Sequence, residues 1–169
     1  MKIGITGPMW SGKTFQLIKT VNILEKKGEK VLCVIPQKSK RENGRGLEEI
    51  VINTPVVFLK QVRDLKNFFD LVVFDEIHLY EVFGELEKFL DCFGMFKNCI
   101  VSGLWNDSYD AYKVFKVWQE IVPFLDGFTC LKSRKPCVKC GGTAYFSKHT
   151  SIKKVCVGDH YVNVCRKHR

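Results

Sequence analysis

The chain has 169 residues, of which 46% are hydrophobic and 12% aromatic. This length and composition favour one globular domain with a small appendage and exclude a disordered chain. No apolar run approaches the roughly 20 residues that a membrane span needs, and the N-terminal stretch is too short and glycine-rich for a signal peptide. We therefore expect a cytoplasmic protein without a membrane partner, in which clustered cysteines bind metal rather than form disulfides.

The net charge of +9 is confined to the C-terminal segment. Residues 1–129 carry 17 basic and 17 acidic residues, whereas residues 130–169 carry ten basic residues and one acidic residue. This basic segment can be a solvated surface, or it can attract a phosphorylated ligand or nucleic acid.

Apolar strands and helical segments alternate along the first 129 residues. Strands are predicted over residues 2–6, 30–35, 56–59, 71–74 and 98–103. Helices are predicted over residues 14–27, with Gly28 as the C-cap, and over residues 80–93 and 110–121. Apolar strands separated by helices predict an α/β fold with a parallel sheet covered on both faces. From residue 130 onward this alternation stops, so we place a boundary between domains at residues 1–129 and 130–169.

The segment GPMWSGKT, from Gly7 to Thr14, follows the first predicted strand and opens the first predicted helix. This is the spacing and the context of a P-loop, in which backbone N–H groups surround phosphate oxygens and the helix N-terminus adds partial positive charge. The Lys13 ammonium group can reach the outer phosphates, and the Thr14 hydroxyl can bind Mg²⁺. The segment therefore predicts a site for the phosphates of ATP. A polar, basic stretch follows the second strand, and residues 36–46 are expected to form a mobile loop.

The fourth predicted strand, LVVF, ends in Asp75 and Glu76. A carboxylate at the end of a buried strand suits a magnesium partner, and Asp75 is the candidate. Glu76 beside it can accept a proton from an attacking oxygen. That oxygen can belong to water, as in an ATPase, or to a substrate hydroxyl, as in a kinase, and the two carboxylates alone do not distinguish these reactions.

Two chelating pairs lie in the basic C-terminal segment: Cys137 with Cys140, and Cys165 with His168. Two close pairs of thiolate and imidazole ligands suit a tetrahedral structural Zn²⁺. Strand-like segments at residues 143–147 and 152–157 would form a hairpin with the pairs at its base. The remaining cysteines are expected to be packing residues: Cys33, Cys92, Cys99, Cys130 and Cys156.

With these features in place, the chain resembles the type II thymidine kinases, a family with cellular, bacterial and poxviral members. The matching segments are GPMWSGKT, LVVFDE, GLWND, CVKC and GDHYVNVCRKH, which extend over nearly the whole chain. Two features are more specific to this family than a general P-loop is. They are Met9 and Ser11 inside the P-loop, and the C-terminal segment from Tyr161 to His168. The resemblance implies a RecA-like P-loop sheet flanked by helices, with a small zinc-binding lasso domain.

The resemblance also implies an activity, namely ATP- and Mg²⁺-dependent phosphorylation of the 5′-hydroxyl of thymidine or a related deoxynucleoside in nucleotide salvage. Glu76 then matches the general base and Asp75 the magnesium-linked acid. The implied ATP-binding residues are Gly7, Met9, Ser11, Gly12, Lys13, Thr14 and Asp75. A weaker match puts Arg41 or Arg45 of the first loop near the transferred phosphate.

In the family a zinc-anchored loop, the lasso, closes over the nucleobase, and residues 156–161 correspond to it here. The implied nucleoside-binding residues are Met9, His78, Leu79, Tyr109, Phe146, Ser147, Val157 and Tyr161. The family precedent is a homotetramer, so the resemblance implies a homo-oligomer with a deoxynucleoside substrate. The sequence offers no basic face interleaved with aromatic residues, which counts against nucleic acid as a partner.

The chain departs from the family pattern mainly in the implied nucleoside pocket. His78 stands where the family has glutamine, either as a hydrogen-bonded polar replacement or as a residue that changes base choice. Leu79 stands where the family has an aromatic ring, whose loss removes a stacking contact worth roughly 0.5–1.5 kcal/mol. Either Ser108 or Tyr109 occupies a position at which the family has another aromatic residue. These departures leave two further functions open, a nucleic-acid-dependent ATPase with a zinc ribbon and a non-catalytic nucleotide-binding relative.

Overall fold

The computed structural model describes residues 1–37, 54–65, 67–107, 110, 112–150 and 161–169. Six strands form one sheet: β1 (Lys2–Thr6), β2 (Val31–Ile35), β3 (Val56–Phe58), β4 (Leu71–Phe74), β5 (Cys99–Gly103) and β6 (Gly127–Cys130). The helices are α1 (Lys13–Lys26), α2 (Val62–Leu65), α3 (His78–Val82), α4 (Leu86–Met95) and α5 (Lys116–Ile121). Two further strands, β7 (Phe146–His149) and β8 (Tyr161–Val164), pair antiparallel as a separate small sheet.

The six-stranded sheet has the order β3-β2-β4-β5-β1-β6, and all of its pairings are parallel. Its central strands β4 and β5 are buried along their whole length, as expected for parallel strands that helices cover on both faces. On one face α1 packs through Leu17, Ile18 and Val21. On the other face α3, α4 and α5 pack through a larger core that includes Phe89 and Trp118. The α/β fold predicted from the sequence is therefore confirmed.

The sheet places the P-loop and the acidic segment at the same end of the sheet, beyond the carboxyl ends of the strands. The P-loop follows β1, and Asp75 follows β4. Only β5 lies between these two strands. In parallel sheets, ligands bind outside the carboxyl ends of the strands, where neighbouring connections diverge.

Two predicted helices need correction, and one strand of the sheet was not predicted. The helix expected over residues 80–93 is two helices, since Gly84 adopts φ +73° between α3 and α4 and interrupts the helical path. In the helix expected over residues 110–121, the residues that the structure describes are helical only in α5, while Asn106 and Val114 form an isolated antiparallel bridge before it. Strand β6 was missed because its sequence, GFTC, is short and it lies at an exposed edge of the sheet.

Other local predictions have mixed outcomes. Helix α1 ends at Lys26 with Lys27 as the C-cap, one residue earlier than predicted, and Gly28 with φ +85° donates its N–H to the Glu25 carbonyl just beyond the helix. Cys33, Cys92 and Cys99 are buried, whereas Cys130 is exposed, so its assignment as a packing residue is wrong. Among the described residues, no helix is both long and apolar enough to cross a membrane. The boundary between residues 1–129 and 130–169 stays a prediction, although β6 carries the large sheet to residue 130.

Candidate nucleotide and zinc sites

The P-loop is a tight turn that depends on its two glycines. Gly7 adopts φ +150°, and a Cβ atom there would lie 2.6 Å from the Leu131 carbonyl oxygen and 2.8 Å from Ser11 Oγ. Gly12 adopts φ +87° immediately before α1. Glycine reaches this left-handed conformation without the steric cost that a Cβ brings. The loop therefore keeps the compact path that aims first-turn N–H groups at one point.

Lys13 is buried inside the loop rather than extended into solvent. Its Nζ donates to the carbonyl oxygens of Gly7 and Pro8 at 2.9 Å each, and it lies 3.5 Å from Ser11 Oγ. The ammonium group is thus already at the centre of the turn, where a phosphate bound by the loop would lie.

Asp75 is buried at the end of β4 and is tied to the P-loop. Its Oδ2 accepts a hydrogen bond from the Thr14 hydroxyl at 3.2 Å, and its Oδ1 accepts from the Glu76 N–H at 2.9 Å and from the Ser102 hydroxyl. Burial and the negative charge of Glu76 raise the pKa of Asp75 to about 6, against the lowering effects of Ser102 and Lys13. A hydroxyl and a carboxylate in contact are suitable ligands for a hard cation such as Mg²⁺. The positive charge of the cation would offset the free-energy cost of keeping the buried Asp75 carboxylate ionised.

Glu76 has an unusual backbone for a residue with a side chain, since its φ is +52°. Left-handed conformations at residues other than glycine are costly and cluster at functional sites. The Glu76 side chain is 17% exposed, and its Oε2 lies 3.6 Å from His78 Nδ1. The carboxylate therefore sits beside the Thr14–Asp75 pair and keeps an opening to solvent.

His78 is the first residue of α3 and is buried. Its Nδ1 accepts a hydrogen bond from the Leu104 backbone N–H at 3.2 Å, and its ring packs on Phe115 with centroids 5.2 Å apart. Because Nδ1 accepts the Leu104 N–H, it does not also donate a hydrogen bond to Glu76 Oε2 in this arrangement. This environment supports the reading of His78 as a satisfied polar replacement.

The β7–β8 pair is joined to the P-loop by hydrogen bonds to Met9. The Met9 N–H donates to Ser147 Oγ at 2.6 Å, and Asn163 Nδ2 donates to the Met9 carbonyl at 3.2 Å. Asn163 also donates to the Ser133 hydroxyl. Two of the implied nucleoside-binding residues, Met9 of the P-loop and Ser147 of β7, are thus in direct contact.

Asn163 and Ser102 were missed by the sequence analysis. Each is a buried polar residue inside an otherwise apolar strand, in YVNV and CIVSG. Such residues require a hydrogen-bond partner, and that signal was available in the sequence.

The four predicted zinc ligands form one cluster. The ligand atoms of Cys137, Cys140, Cys165 and His168 all lie within 4.8 Å of one another. Cys140 Sγ is 3.7 Å from Cys165 Sγ, and His168 Nδ1 is 3.6 Å from Cys137 Sγ and 3.3 Å from Cys165 Sγ. A tetrahedron with zinc–sulfur bonds of about 2.3 Å has ligand separations of about 3.8 Å. The cluster is therefore compatible with a structural Zn²⁺.

The other predicted nucleoside residues have different surroundings. Leu79 is buried in α3, Phe146 packs on the small core of Cys137, Ala144 and Val164, and Tyr161 lies edge-on to the His149 ring at 4.8 Å. Tyr109, Val157, the rest of the lasso at residues 156–160, and the first-loop residues Arg41 and Arg45 lie outside the described residues.

A parallel sheet with a P-loop after β1 and an acidic end on β4 defines a P-loop nucleotide-binding fold, to which a Cys₃His cluster is appended. The sequence model of the thymidine kinase family matches residues 2–169. The chain belongs to the thymidine kinase family, which confirms the resemblance found in the sequence.

Individual relatives agree with this assignment. A thymidine kinase of Oryza sativa subsp. japonica is 28% identical over 97% of this chain and 64% of its own length. A thymidine kinase of Mycoplasma mobile is 30% identical over 96% of this chain and 84% of its own length. The chain therefore spans less than two thirds of the rice relative. A solved structure described as a DNA replication initiation factor is 16% identical, has a TM-score of 0.49, and covers 76% of this chain and 39% of its own.

Proposed function

We propose that this protein transfers the γ-phosphoryl group of ATP to the 5′-hydroxyl of thymidine or a related deoxynucleoside. The reaction would use Mg²⁺ and serve cytoplasmic salvage of deoxynucleotides for DNA synthesis. The observation that carries the proposal is the convergence of Thr14, Asp75 and Glu76 at one edge of the sheet, in a chain of the thymidine kinase family.

The P-loop would hold the phosphates of ATP. The Lys13 ammonium group donates to two neutral carbonyl oxygens, and charged phosphate oxygens are stronger acceptors that would replace them. First-turn N–H groups of α1 would bind further phosphate oxygens. Thr14 and Asp75 would hold Mg²⁺, which when bound neutralises part of the phosphate charge.

Glu76 would act as the general base. Its carboxylate would take the proton of the nucleoside 5′-hydroxyl while the 5′-oxygen forms a bond to the γ-phosphorus. The bond between that phosphorus and the β–γ bridging oxygen breaks, and ADP leaves with the bridging oxygen. The left-handed backbone of Glu76 supports this role, because it sets the carboxylate beside Asp75 without burying it completely.

The β7–β8 pair would form one wall of the nucleoside pocket. A kinase must exclude water, which otherwise competes with the acceptor hydroxyl. The bonds from Ser147 and Asn163 to Met9 support a wall that is fixed to the phosphate loop. Zn²⁺ at the Cys₃His cluster would hold this small sheet in shape. The proposed pocket residues are Met9, His78, Leu79, Tyr109, Phe146, Ser147, Val157 and Tyr161.

A coupled kinase assay tests the proposal. Zinc-loaded protein with ATP and Mg²⁺ is expected to form a 5′-monophosphate from thymidine or another pyrimidine deoxynucleoside. Glu76→Gln should abolish turnover and leave ATP binding within about twofold, since the phosphate cradle is untouched. Glu87→Gln, at an exposed position of α4, is the matched control and should retain full activity. If the protein phosphorylates none of the natural deoxynucleosides, the proposal is overturned.

Negative results in that assay separate the two other functions. ATP hydrolysis stimulated by DNA or RNA, with binding that weakens steeply as salt rises, would indicate a nucleic-acid-dependent ATPase. Tight nucleoside binding without turnover would indicate a non-catalytic relative. The replacement of a family aromatic residue by Leu79 in the implied nucleoside pocket is the reason to consider this alternative.

We also propose that the protein is a homo-oligomer, with a tetramer as the expected state, and that residues 1–129 and 130–169 are separate domains. Light scattering is expected to give about four times the chain mass of 19.5 kDa. A monomer mass at micromolar concentration would contradict the oligomer.

A further inference from the structure

The outer side of the P-loop carries an aromatic ring and a guanidinium group that the proposed reaction does not use. Phe15, in the first turn of α1, is 61% exposed although it is a large apolar side chain. The guanidinium carbon of Arg134 lies 5.3 Å from the centre of the Phe15 ring. Both residues directly border the loop that would hold the phosphates of ATP.

The contact between Arg134 and the loop is close and face-on. A Cβ atom at Gly12 would lie 3.0, 3.2 and 3.3 Å from the Nη2, Cζ and Nε atoms of Arg134. Three guanidinium atoms at nearly equal distances mean that the flat face of the group rests on Gly12. The Arg134 backbone N–H also donates to the Trp10 carbonyl at 3.1 Å. The segment after β6 is therefore anchored to the loop at both its backbone and its side chain.

The position of Phe15 relates it to one particular part of a nucleotide. The first i to i−4 bond of this helix runs from the Gln16 N–H to the Gly12 carbonyl, so Thr14 and Phe15 lie in the turn whose N–H groups have no carbonyl partner within the helix. Those groups bind the inner phosphates in a P-loop. The sugar and base attached to the inner phosphates must then leave the loop beside the Phe15 side chain.

We propose that Phe15 and Arg134 form the binding shelf for the purine base and inner phosphates of the ATP donor. The exposed Phe15 ring stacks on the base, and Arg134 holds the ring in place while presenting positive charge to the phosphates. This proposal rests on the proposed function of the P-loop and deepens it. It also assigns part of the basic charge after residue 130 to a phosphorylated ligand.

Binding of ATP and of inorganic tripolyphosphate, each with Mg²⁺ and without a nucleoside, tests the shelf by calorimetry. Phe15→Ala is expected to weaken ATP binding about tenfold, within the range found when aromatic–base stacking is removed. Tripolyphosphate binding should stay within about twofold, because this probe has no base. Phe15→Trp should restore ATP binding, and Phe68→Ala, at another exposed aromatic residue, should change neither ligand.

Arg134→Gln is expected to weaken both ligands about threefold to fivefold, since the guanidinium charge acts on phosphate. Arg63→Gln in α2 is the control and should leave both unchanged. ATP binding by Phe15→Ala within twofold of wild type would overturn the shelf, as would equal losses for ATP and tripolyphosphate. The binding assay contains no nucleoside, so its result does not depend on whether the protein is a kinase. If wild-type protein binds neither ATP nor tripolyphosphate, the assignment of the P-loop as a phosphate site is overturned as well.

Discussion

Asn163 is one of two side chains, with Ser147, through which the β7–β8 pair is bonded to the P-loop, and its removal has a calculable cost. It is 2% exposed, and its amide donates to the Met9 carbonyl and to the Ser133 hydroxyl. Asn163→Ala leaves both acceptors, which are partly buried, with one partner fewer. A buried polar group that loses its partner costs about 1–3 kcal/mol. Because the two acceptors are only partly buried, the expected total loss in the free energy of unfolding is about 1–3 kcal/mol.

Urea unfolding of zinc-loaded protein, followed by tryptophan fluorescence, measures this loss. Gln119→Ala removes an exposed side-chain bond to the Val114 carbonyl and should cost less than about 0.5 kcal/mol. The same Asn163 variant should raise KM for the nucleoside more than KM for ATP, because it loosens the proposed pocket wall at Met9 and leaves the contacts of Lys13 and Thr14 in place. A loss below about 0.5 kcal/mol would refute the reasoning that Asn163 joins the two parts of the molecule.

Three further predictions concern the metal cluster, the acidic strand end and the P-loop turn. Chelation of zinc should make the thiols of Cys137, Cys140 and Cys165 reactive toward Ellman's reagent, and an unchanged thiol count would contradict metal binding. Because the pKa of Asp75 is raised from 3.8 to about 6, its contribution to stability is complete below about pH 4 and is lost as the pH rises through 6. Without nucleotide, wild type should thus lose up to about 3 kcal/mol across this range relative to Asp75→Asn, and parallel unfolding profiles of the two would contradict the shift. Gly12→Ala should lower stability by about 1–2 kcal/mol and weaken ATP binding, whereas Gly28→Ala, with nearly the same φ but open space around it, should lower stability alone. Unchanged ATP affinity in Gly12→Ala would contradict the close contact with Arg134.

Phosphate binding and nucleoside binding rely on different groups of the protein, and this difference explains why the phosphate-binding part of the sequence is easier to interpret. Phosphate binding depends on backbone N–H groups, one lysine and one hydroxyl, which a short motif fixes by spacing alone. The proposed nucleoside pocket would instead use side chains from α3, β7 and the segment that the resemblance identifies as the lasso, and the chain departs from the family pattern at His78 and Leu79. Thymidine as the acceptor is therefore the point that the kinase assay must decide.

The sequence by itself determined the elements whose chemistry is local. The P-loop spacing, the acidic end of LVVF and the two chelating pairs each lie within a few residues of the chain, so their geometry follows from one turn or one strand end. The apolar strands likewise determined the parallel sheet, because continuous burial on both faces leaves few other arrangements.

Only the tertiary structure decided the contacts between distant segments. Met9 and Asn163 are 154 residues apart in the chain, yet they share a hydrogen bond. Arg134 rests on Gly12 because β6 adds to the sheet beside β1 and so carries the following segment past the P-loop. Such contacts depend on the order of strands in the sheet, and strand order is set by the packing of the whole chain.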